Sequence, residues 1–424
     1  MIEPDQHAAT GLDLLLHHVS ALALGPSTSY SDGVLTVGTD EAKTLLSHSA
    51  LADVRVSCAS PGESVRIVKL LDAVEPRCKG PDGADVFPGL LAPARPGGRG
   101  ETHVLRGAVV VVAGFLPRAQ EGVAQMAGGG AELSPLSSTH NVVIEFEPAD
   151  GAPWPEVDRA LRRGALRLAV QLAQAALASP PDAVQRLNVP AAPRGSGLPR
   201  IAAVTNLQTQ GTFKDVFVYG RSMAGSLPTV IDPTELADGA VVSGQYGHPA
   251  LKNPTFVHQN HPVVTALGRS EQAELAGVVL CPEPVAEDEK RLVSEHAARL
   301  CAAIGADAAI VTKEGGGNAD ADVALKMDAL EDLGIAAVGL FAEMAGRDGS
   351  GPSIVVPPTR ATAMVSTGNY DELVSLDAVE RALGGDRVEI ADAAAIAALE
   401  LPVAVIYGAL NPLGWGPLTC AEEA

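Results

Sequence analysis

The second half of the chain alternates apolar runs with helical segments, and this alternation is the feature that most narrows its fold. The runs "AGVVLCPEP", "AAIVTKE" and "IAAVGLFAE" are separated by "EDEKRLVSEHAARLCAAIG" and "DADVALKMDALEDLG". Strands that are apolar throughout, rather than at every second residue, are typical of parallel sheets covered by helices on both faces. We therefore predict a mostly parallel-sheet, Rossmann-like α/β domain over residues 199–424.

The first half has a different pattern of apolar residues. Segments such as "DVRVSCA", "HVLRGAVVVVAG" and "HNVVIEFEP" predict strands, and residues 153–177 carry the apolar spacing of one clear helix. A stretch rich in Pro, Gly and Ser, "LASPPDAVQRLNVPAAPRGSGLPR", then reads as a linker. We predict an N-terminal β-rich α+β domain over residues 1–198, with the boundary near residue 199.

Charge and composition exclude several classes of protein. A formal net charge of −21 argues against nucleic-acid partners and against binding to anionic membrane surfaces. No apolar run reaches the roughly 18 residues of a membrane helix, and the acidic N-terminus is unlike a secretion signal. The five cysteines form no CxxC pair, so we expect buried thiols, Cys281 among them, in a cytoplasmic protein.

The loops after the parallel strands are where ligands bind in such sheets. Glu314 ends "AAIVTKE", and the loop "GGGNADAD" follows with Gly316, Asn318 and Asp320 as candidate substrate-binding residues. The loop is not a phosphate loop, because it lacks GK[ST] and its acids would repel phosphate. The alternative is a tight turn with a helix cap, which uses the same residue types.

The next strand ends at Glu343 and is followed by Arg347, a further candidate substrate-binding residue, and by Asp348. Because neighbouring strands end at the same sheet edge, we expect the carboxylates of Glu314 and Glu343 to converge and to exchange protons, with Asp348 as a further candidate acid. The alternative is that each acid caps a helix or pairs with Arg347. The loop "VSTGN" adds polar side chains that suit a carboxylate or an amine, namely Ser366, Thr367 and Asn369.

A histidine-rich stretch, "VVSGQYGHPALKNPTFVHQNHPVV", lies between these predicted strands and the linker. His248, His258 and His261 are candidate ligands for a divalent metal, and His258 is a candidate catalytic residue. Pro262 argues against one helix carrying both His258 and His261. The alternative is that the imidazoles hydrogen-bond the loop itself.

Many motifs of the chain together resemble one family. The proprotein subunit of component B of the glycine, sarcosine and betaine reductases is similar over nearly the whole chain, and D-proline reductase has a related subunit. The likeness is carried by "PGESVRI", "DAVEPR", "FPGLL", "THVLRGAVVV", "QGTFKDVFVYG", "LPTVIDPTE", "KNPTFVHQNHPVV", "EGGGNADAD", "EMAGRDG", "STGN" and "LGWGPLT".

The resemblance implies a particular chemistry. Members of the family break their own chain before a cysteine, through an N-to-S acyl shift, and the cysteine becomes a pyruvoyl group. Its ketone condenses with a substrate amine, and a selenocysteine or cysteine on a partner subunit displaces that amine. Matching "KNPT", residues 252–255, to the family pattern Cys-Asp-Lys-Asn-Pro-Thr places the family's cysteine at Ala250.

Alanine has no side-chain heteroatom to attack the preceding carbonyl, so we expect an uncleaved chain without a pyruvoyl group. The alternative is a displaced nucleophile, with Ser243 or Thr255 nearest in the sequence. The resemblance also marks other departures: His248 and His261 stand where the family pattern has Ser and Asn, and His140 replaces another family cysteine.

Two functions follow from this reading. In the first, the chain is a non-self-cleaving subunit of a two-subunit, glycine-reductase-like hetero-oligomer. It binds a small amino-acid-like or carboxylate substrate and presents it to a partner bearing selenocysteine or cysteine, for cleavage or substitution at a C–N or other carbon–heteroatom bond. In the second, it is a catalytically silent scaffold or ligand-sensing subunit of that complex. A free-standing metalloenzyme is a third, weaker alternative, and the sequence does not name the substrate.

Overall fold

The computed structural model describes residues 11–188, 197–209, 216–244, 246–361, 363–411 and 413, and shows a mixed α/β protein with several sheets. The helices are α1 Thr39–Leu46, α2 Trp154–Gln174, α3 Pro233–Ala237, α4 Thr255–Gln259, α5 Pro262–Gly268, α6 Glu287–Ala303 and α7 Asn318–Asp332. The strands of the first half are β1 Gly11–His18, β2 Ala21–Gly25, β3 Ser29–Ser31, β4 Val34–Gly38, β5 Leu51–Ala59, β6 Val65–Val68, β7 Leu70–Val74, β8 Arg77–Lys79, β9 Gly100–Arg106, β10 Ala108–Ala113, β11 Val123–Gln125, β12 His140–Pro148 and β13 Ala183–Asn188. Those of the second half are β14 Arg200–Gln208, β15 Phe217–Val218, β16 Arg221–Ser222, β17 Thr229–Ile231, β18 Val241–Val242, β19 Glu274–Glu283, β20 Ala308–Thr312, β21 Ala336–Glu343, β22 Ala363–Asn369, β23 Leu373–Leu376, β24 Arg381–Leu383, β25 Arg387–Val388, β26 Ala393–Ala394 and β27 Leu399–Pro402.

The largest sheet is built from the apolar runs of the second half. Its order is β17-β19-β14-β20-β21-β22, and all neighbours are parallel except β17, which runs antiparallel to β19. Helices α6 and α7 cover one face, where Val279, Val311, Val323 and Met327 form a buried cluster. Helix α5 packs on the opposite face, so the strands are apolar on both sides, as their sequence predicts.

The first half forms two four-stranded sheets, β13-β1-β9-β8 and β5-β12-β10-β7. Helix α2 confirms the helix predicted from the spacing of residues 153–177, and it buries Leu161, Leu166 and Leu172 in the core of this half. Among the helices of the described residues, none is both long enough and apolar enough to span a membrane.

The segment that follows the large sheet packs against the first half of the chain. Strand β24 pairs in parallel with β6, with Arg381 opposite Val65, and Leu383 joins a buried cluster with Ile67 and Val143. The domain boundary near residue 199 stays a prediction based on the order of the sequence. In space, the last described part of the chain packs on elements that precede that residue.

Arg66 holds this returning segment. Its side chain is buried and donates hydrogen bonds to Gln125 Oε1 at 2.7 and 3.1 Å and to the backbone carbonyls of Asp377 at 2.6 Å, Ala395 at 2.6 Å and Ala397 at 2.8 Å. One guanidinium therefore satisfies carbonyl groups from three points of a segment that lies more than 300 residues away in sequence.

We expect Arg66→Met to lower the free energy of unfolding by about 3–5 kcal/mol, because buried carbonyl groups that lose their donor cost about 1–3 kcal/mol each. Urea unfolding followed by circular dichroism measures the loss. Arg55→Met, at an exposed arginine of β5, is the control and should change stability by less than about 0.5 kcal/mol. Equal effects of the two substitutions would contradict the role of Arg66.

Candidate functional site

The histidine-rich stretch lies where the large sheet contacts the first half of the chain. Ala250 belongs to this stretch and is fully buried. A 3-10 turn spans Pro249–Leu251, preceded by His248 in a left-handed backbone conformation with φ of 49°. The carbonyl of Pro249 accepts a hydrogen bond from Gly408 N at 2.9 Å, and that of Ala250 accepts one from Leu410 N at 3.0 Å. The peptide groups on both sides of Ala250 are therefore held by one segment, residues 408–410, and the carbonyl before Ala250 already has a backbone donor.

Two residues beyond Ala250, Lys252 is buried beside an acid of the large sheet. Its Nζ donates to Ser243 Oγ at 2.5 Å and lies 4.0 Å from Glu314 Oε1. The Glu314 carboxylate also accepts hydrogen bonds from Asn253 N at 3.1 Å and Gln208 N at 3.3 Å. The loop after β20 thus places Glu314 directly against the family-like "KNPT" segment.

A second carboxylate reaches this site from the first half. Asp72, on β7, accepts hydrogen bonds from Thr255 N at 3.0 Å and Thr255 Oγ1 at 2.7 Å. The Thr255 hydroxyl in turn accepts the backbone N–H of Ser243 at 3.0 Å. Asn411 donates to the Lys252 carbonyl at 2.7 Å and to Asn253 Oδ1 at 2.8 Å, so the "KNPT" backbone is held from both sides.

Burial sets the protonation behaviour of these groups. It raises the pKa of Glu314 to about 6, although Lys252 and the two backbone N–H groups act in the opposite direction. Burial also lowers the pKa of Lys252, opposed by the charges of Glu314 and Asp72. A carboxyl that titrates near pH 6 next to a buried ammonium is suited to give and take a proton near neutral pH.

The histidines separate into different roles. His261 Nδ1 accepts the Val264 N–H at 3.4 Å and caps α5, which leaves its Nε2–H to donate to Thr205 Oγ1 at 2.9 Å. The buried ring of His258 has no hydrogen-bond partner among the described residues, and burial lowers its pKa well below the ordinary value, so it is neutral. His248 stands apart, with its ring 6.3 Å from that of Tyr370.

The structure does not gather the three histidines around one point. In the described ranges, no group of three or more His, Cys, Asp or Glu side chains is arranged to hold a metal ion. The physical reason is local: both ring nitrogens of His261 are already used, one as a helix cap and one against β14. The alternative interpretation, that an imidazole hydrogen-bonds its own loop, fits His261.

The acids predicted after the next strand are less buried than Glu314. Glu343 is half-buried at the end of β21, which pairs with β20 in the large sheet. Arg347 and Asp348 are exposed, and Ser350 donates two hydrogen bonds to Asp348 and lowers its pKa. The convergence of the Glu314 and Glu343 carboxylates, with Asp348 as a further acid, therefore stays a prediction.

The predicted substrate-binding residues have structural partners. A side chain at Gly316 would collide with Met344, and Asn318 begins α7. Asp320 is buried, ion-paired with Lys313, and accepts the Val355 N–H at 3.2 Å. Thr367 Oγ1 donates to the Leu410 carbonyl at 3.0 Å, and Asn369 Nδ2 donates to the Gly346 carbonyl at 2.8 Å.

Pro249, the residue before Ala250, lines a cavity of about 490 Å³. Its walls are mainly apolar and include Leu71 and Phe115. Glu121 contributes one oxygen that accepts the Glu389 N–H at 2.8 Å and a second, buried oxygen without a partner among the described residues. Sequence reasoning missed this cavity and Asp72, although the motif "DAVEPR" contains Asp72.

We expect Lys252→Met to raise the pKa of Glu314 above about 6, because the ammonium group stabilises the ionised carboxylate. Carbon-13 NMR titration of the glutamate carboxyl groups measures the shift, with Glu314→Gln to assign the signal. Lys43→Met, at an exposed position of α1, is the control. An unchanged Glu314 titration in folded Lys252→Met would contradict the coupling of these two groups.

Comparison with known proteins agrees with the resemblance seen in the sequence. Residues 11–410 match the family of glycine/sarcosine/betaine reductase component B subunits. The glycine reductase complex component B subunits alpha and beta of Peptoclostridium acidaminophilum are 36% identical, over 95% of this chain and 97% of that protein. The sarcosine reductase complex component B subunit alpha of the same organism is 32% identical, over 86% of this chain and 87% of that protein. No solved structure gives a significant match. The resemblance is confirmed: the chain belongs to the family of glycine/sarcosine/betaine reductase component B subunits.

Proposed function

We propose that this protein is an uncleaved, substrate-holding subunit of a two-subunit reductase complex. It works without a pyruvoyl group and presents a small amino-acid-like substrate to a thiol or selenol on its partner. The observation that carries the proposal is the buried Glu314–Lys252 pair beside Ala250, with the Glu314 pKa at about 6. Glu314 and Lys252, the groups that can transfer a proton, are present at this site, although the pyruvoyl group of the family is absent.

The cavity beside Pro249 is the proposed substrate site. Glu121 and Glu389 outweigh Lys69 in its lining, so its net charge favours a cationic group such as an ammonium. Phe115 and Tyr370 also line the cavity, and aromatic rings attract alkylammonium groups. The names of the relatives refer to glycine, sarcosine and betaine, which all carry a cationic nitrogen beside a carboxylate.

Without a protein ketone, the substrate is held by non-covalent contacts alone. A thiolate or selenolate of the partner attacks the substrate α-carbon, and the C–N bond breaks as the new carbon–sulfur or carbon–selenium bond forms. The electron pair of the broken bond leaves with the nitrogen. Because the substrate nitrogen is held as a cation, it leaves as a neutral amine. Glu314 is the proposed source of the proton that this amine takes up after the C–N bond breaks, and Lys252 stabilises the carboxylate that results.

Reconstitution with the thiol- or selenol-bearing partner tests this function. We expect one intact polypeptide by mass spectrometry, and turnover of a small amine only when both subunits are present. Glu314→Gln should lower kcat by about 10²–10⁴-fold, the usual contribution of a general acid. Glu295→Gln, an exposed carboxyl of α6, is the control and should leave kcat unchanged. Normal partner binding with no ligand binding would overturn this proposal and leave the scaffold function.

We expect Ala250→Cys to restore chain cleavage, because the thiol gains access to a Pro249 carbonyl that already accepts the Gly408 N–H at 2.9 Å. That donor would stabilise the oxyanion formed when the thiol attacks. Gel electrophoresis and mass spectrometry should show fragments of residues 1–249 and 250–424. Ala240→Cys, at another buried alanine, is the control. A folded Ala250→Cys protein that stays intact would contradict the proposal that only the nucleophile is missing.

A further inference from the structure

Behind the candidate site, buried carboxyl groups outnumber buried lysines. Nine side chains, each no more than 6% exposed, form this set. The carboxyl groups are Asp72, Glu283, Glu314, Asp320 and Asp322, and the lysines are Lys252, Lys290, Lys313 and Lys326. With five acids and four lysines, full ionisation would leave one uncompensated negative charge inside the protein. An unpaired buried charge is so costly that such a group takes up or loses a proton instead.

Most of the set is linked by contacts and by charge interactions. Lys252 Nζ lies 4.0 Å from Glu314 Oε1, and the Glu314 backbone N–H donates to Glu283 Oε1 at 3.2 Å. Glu283 ends β19 and faces α7, where Asp322 pairs with Lys290 and, at 3.6 Å, with Lys326. Lys313 pairs with Asp320 at the start of the same helix. Because the Lys313–Asp320 pair is neutral by itself, the excess carboxyl group lies among the other seven side chains.

The contacts identify the acid that, within the described residues, has neither a positively charged partner nor a full set of hydrogen bonds. Glu314, Asp320 and Asp322 each have a lysine within 4.0 Å. Asp72 has no such lysine, but both of its oxygens accept hydrogen bonds from Thr255. Glu283 forms no ion pair within the described residues, and its Oε2 has no hydrogen-bond partner there.

A proton on Glu283 Oε2 would have an acceptor nearby on the same sheet face. In the parallel pairing of β14 and β19, Gln208 lies opposite Glu283, and Asn206 lies opposite Cys281. Side chains two residues apart on a strand share a face. Asn206 is fully buried, and both its Oδ1 and Nδ2 lack partners among the described residues. A carboxylic acid donates a hydrogen bond, whereas a carboxylate only accepts.

We propose that Glu283 is a neutral carboxylic acid at neutral pH and a positioning residue, which holds the Glu314 backbone without adding a negative charge behind it. Were Glu283 ionised, its charge would oppose the ionisation of Glu314 through the hydrogen-bonded peptide group. The importance of Glu314 rests on the proposed function. The protonation of Glu283 does not, and it is measurable without any assay of activity.

The pH dependence of stability tests the proposal. A carboxyl that is protonated when folded and ionised when unfolded releases a proton on unfolding, so its contribution to stability falls as pH rises. Relative to Glu283→Gln, the unfolding equilibrium constant of the native protein should rise about tenfold per pH unit between pH 5.5 and 7.5. Glu289→Gln, at an exposed carboxyl of α6, is the control and should show no such trend. A difference between native protein and Glu283→Gln that does not vary with pH would overturn the proposal.

Infrared spectroscopy gives an independent measurement if Glu283→Gln does not fold. At pH 8 Glu314, with its pKa at about 6, is ionised, so it no longer contributes a carboxylic-acid carbonyl band. We expect such a band to persist in the native protein at that pH, and to lose intensity in Glu283→Gln where that variant folds. Absence of the band from the native protein would overturn the protonated state.

Discussion

The ion pair between Lys252 and Glu314 is the interaction on which the arrangement of the site depends. Glu314 comes from the large sheet, Lys252 from the loop of Ala250, and the nearby Asp72 from the first half of the chain. Each of these charges is buried, and removal of one partner from a buried pair typically costs about 3–5 kcal/mol. The loop therefore has its position fixed by charge, whether or not it carries a reactive group.

These buried ion pairs change the interpretation of the acidic motifs in the loops after the strands. From the sequence, "EGGGNADAD" and "EMAGRDG" favour an active site, because a scaffold has no need for them. In the structure, Asp320 and Asp322 neutralise lysines, Gly316 avoids Met344, and Asp348 bonds its own turn. These contacts stabilise the fold in either case, so the argument for catalysis passes to Glu314, whose pKa burial raises into the working range of a proton donor.

The sequence predicts the apolar strands of the large sheet, helix α2 and the family, because these depend on local pattern and on motifs in order. It also predicts Glu314 as the acid of interest at a strand end. It does not predict the second carboxylate of the site, since Asp72 and Thr255 are 183 residues apart in the chain and meet only through tertiary packing. Glu343 shows the converse limit: neighbouring strands place two residues at one edge of the sheet, but this adjacency alone does not establish that their carboxylates meet.

Ala250 is informative because so little around it differs from what a nucleophile would require. The preceding carbonyl is hydrogen-bonded by Gly408, the following backbone is held by Asn411 and Glu314, and the residue itself is fully packed. A side chain without a heteroatom leaves this geometry in place, because none of these contacts uses the side chain of residue 250. Covalent chemistry at residue 250 depends on one side-chain atom. The position of the surrounding backbone depends instead on a network of buried charges that folding itself requires, so the two are separable.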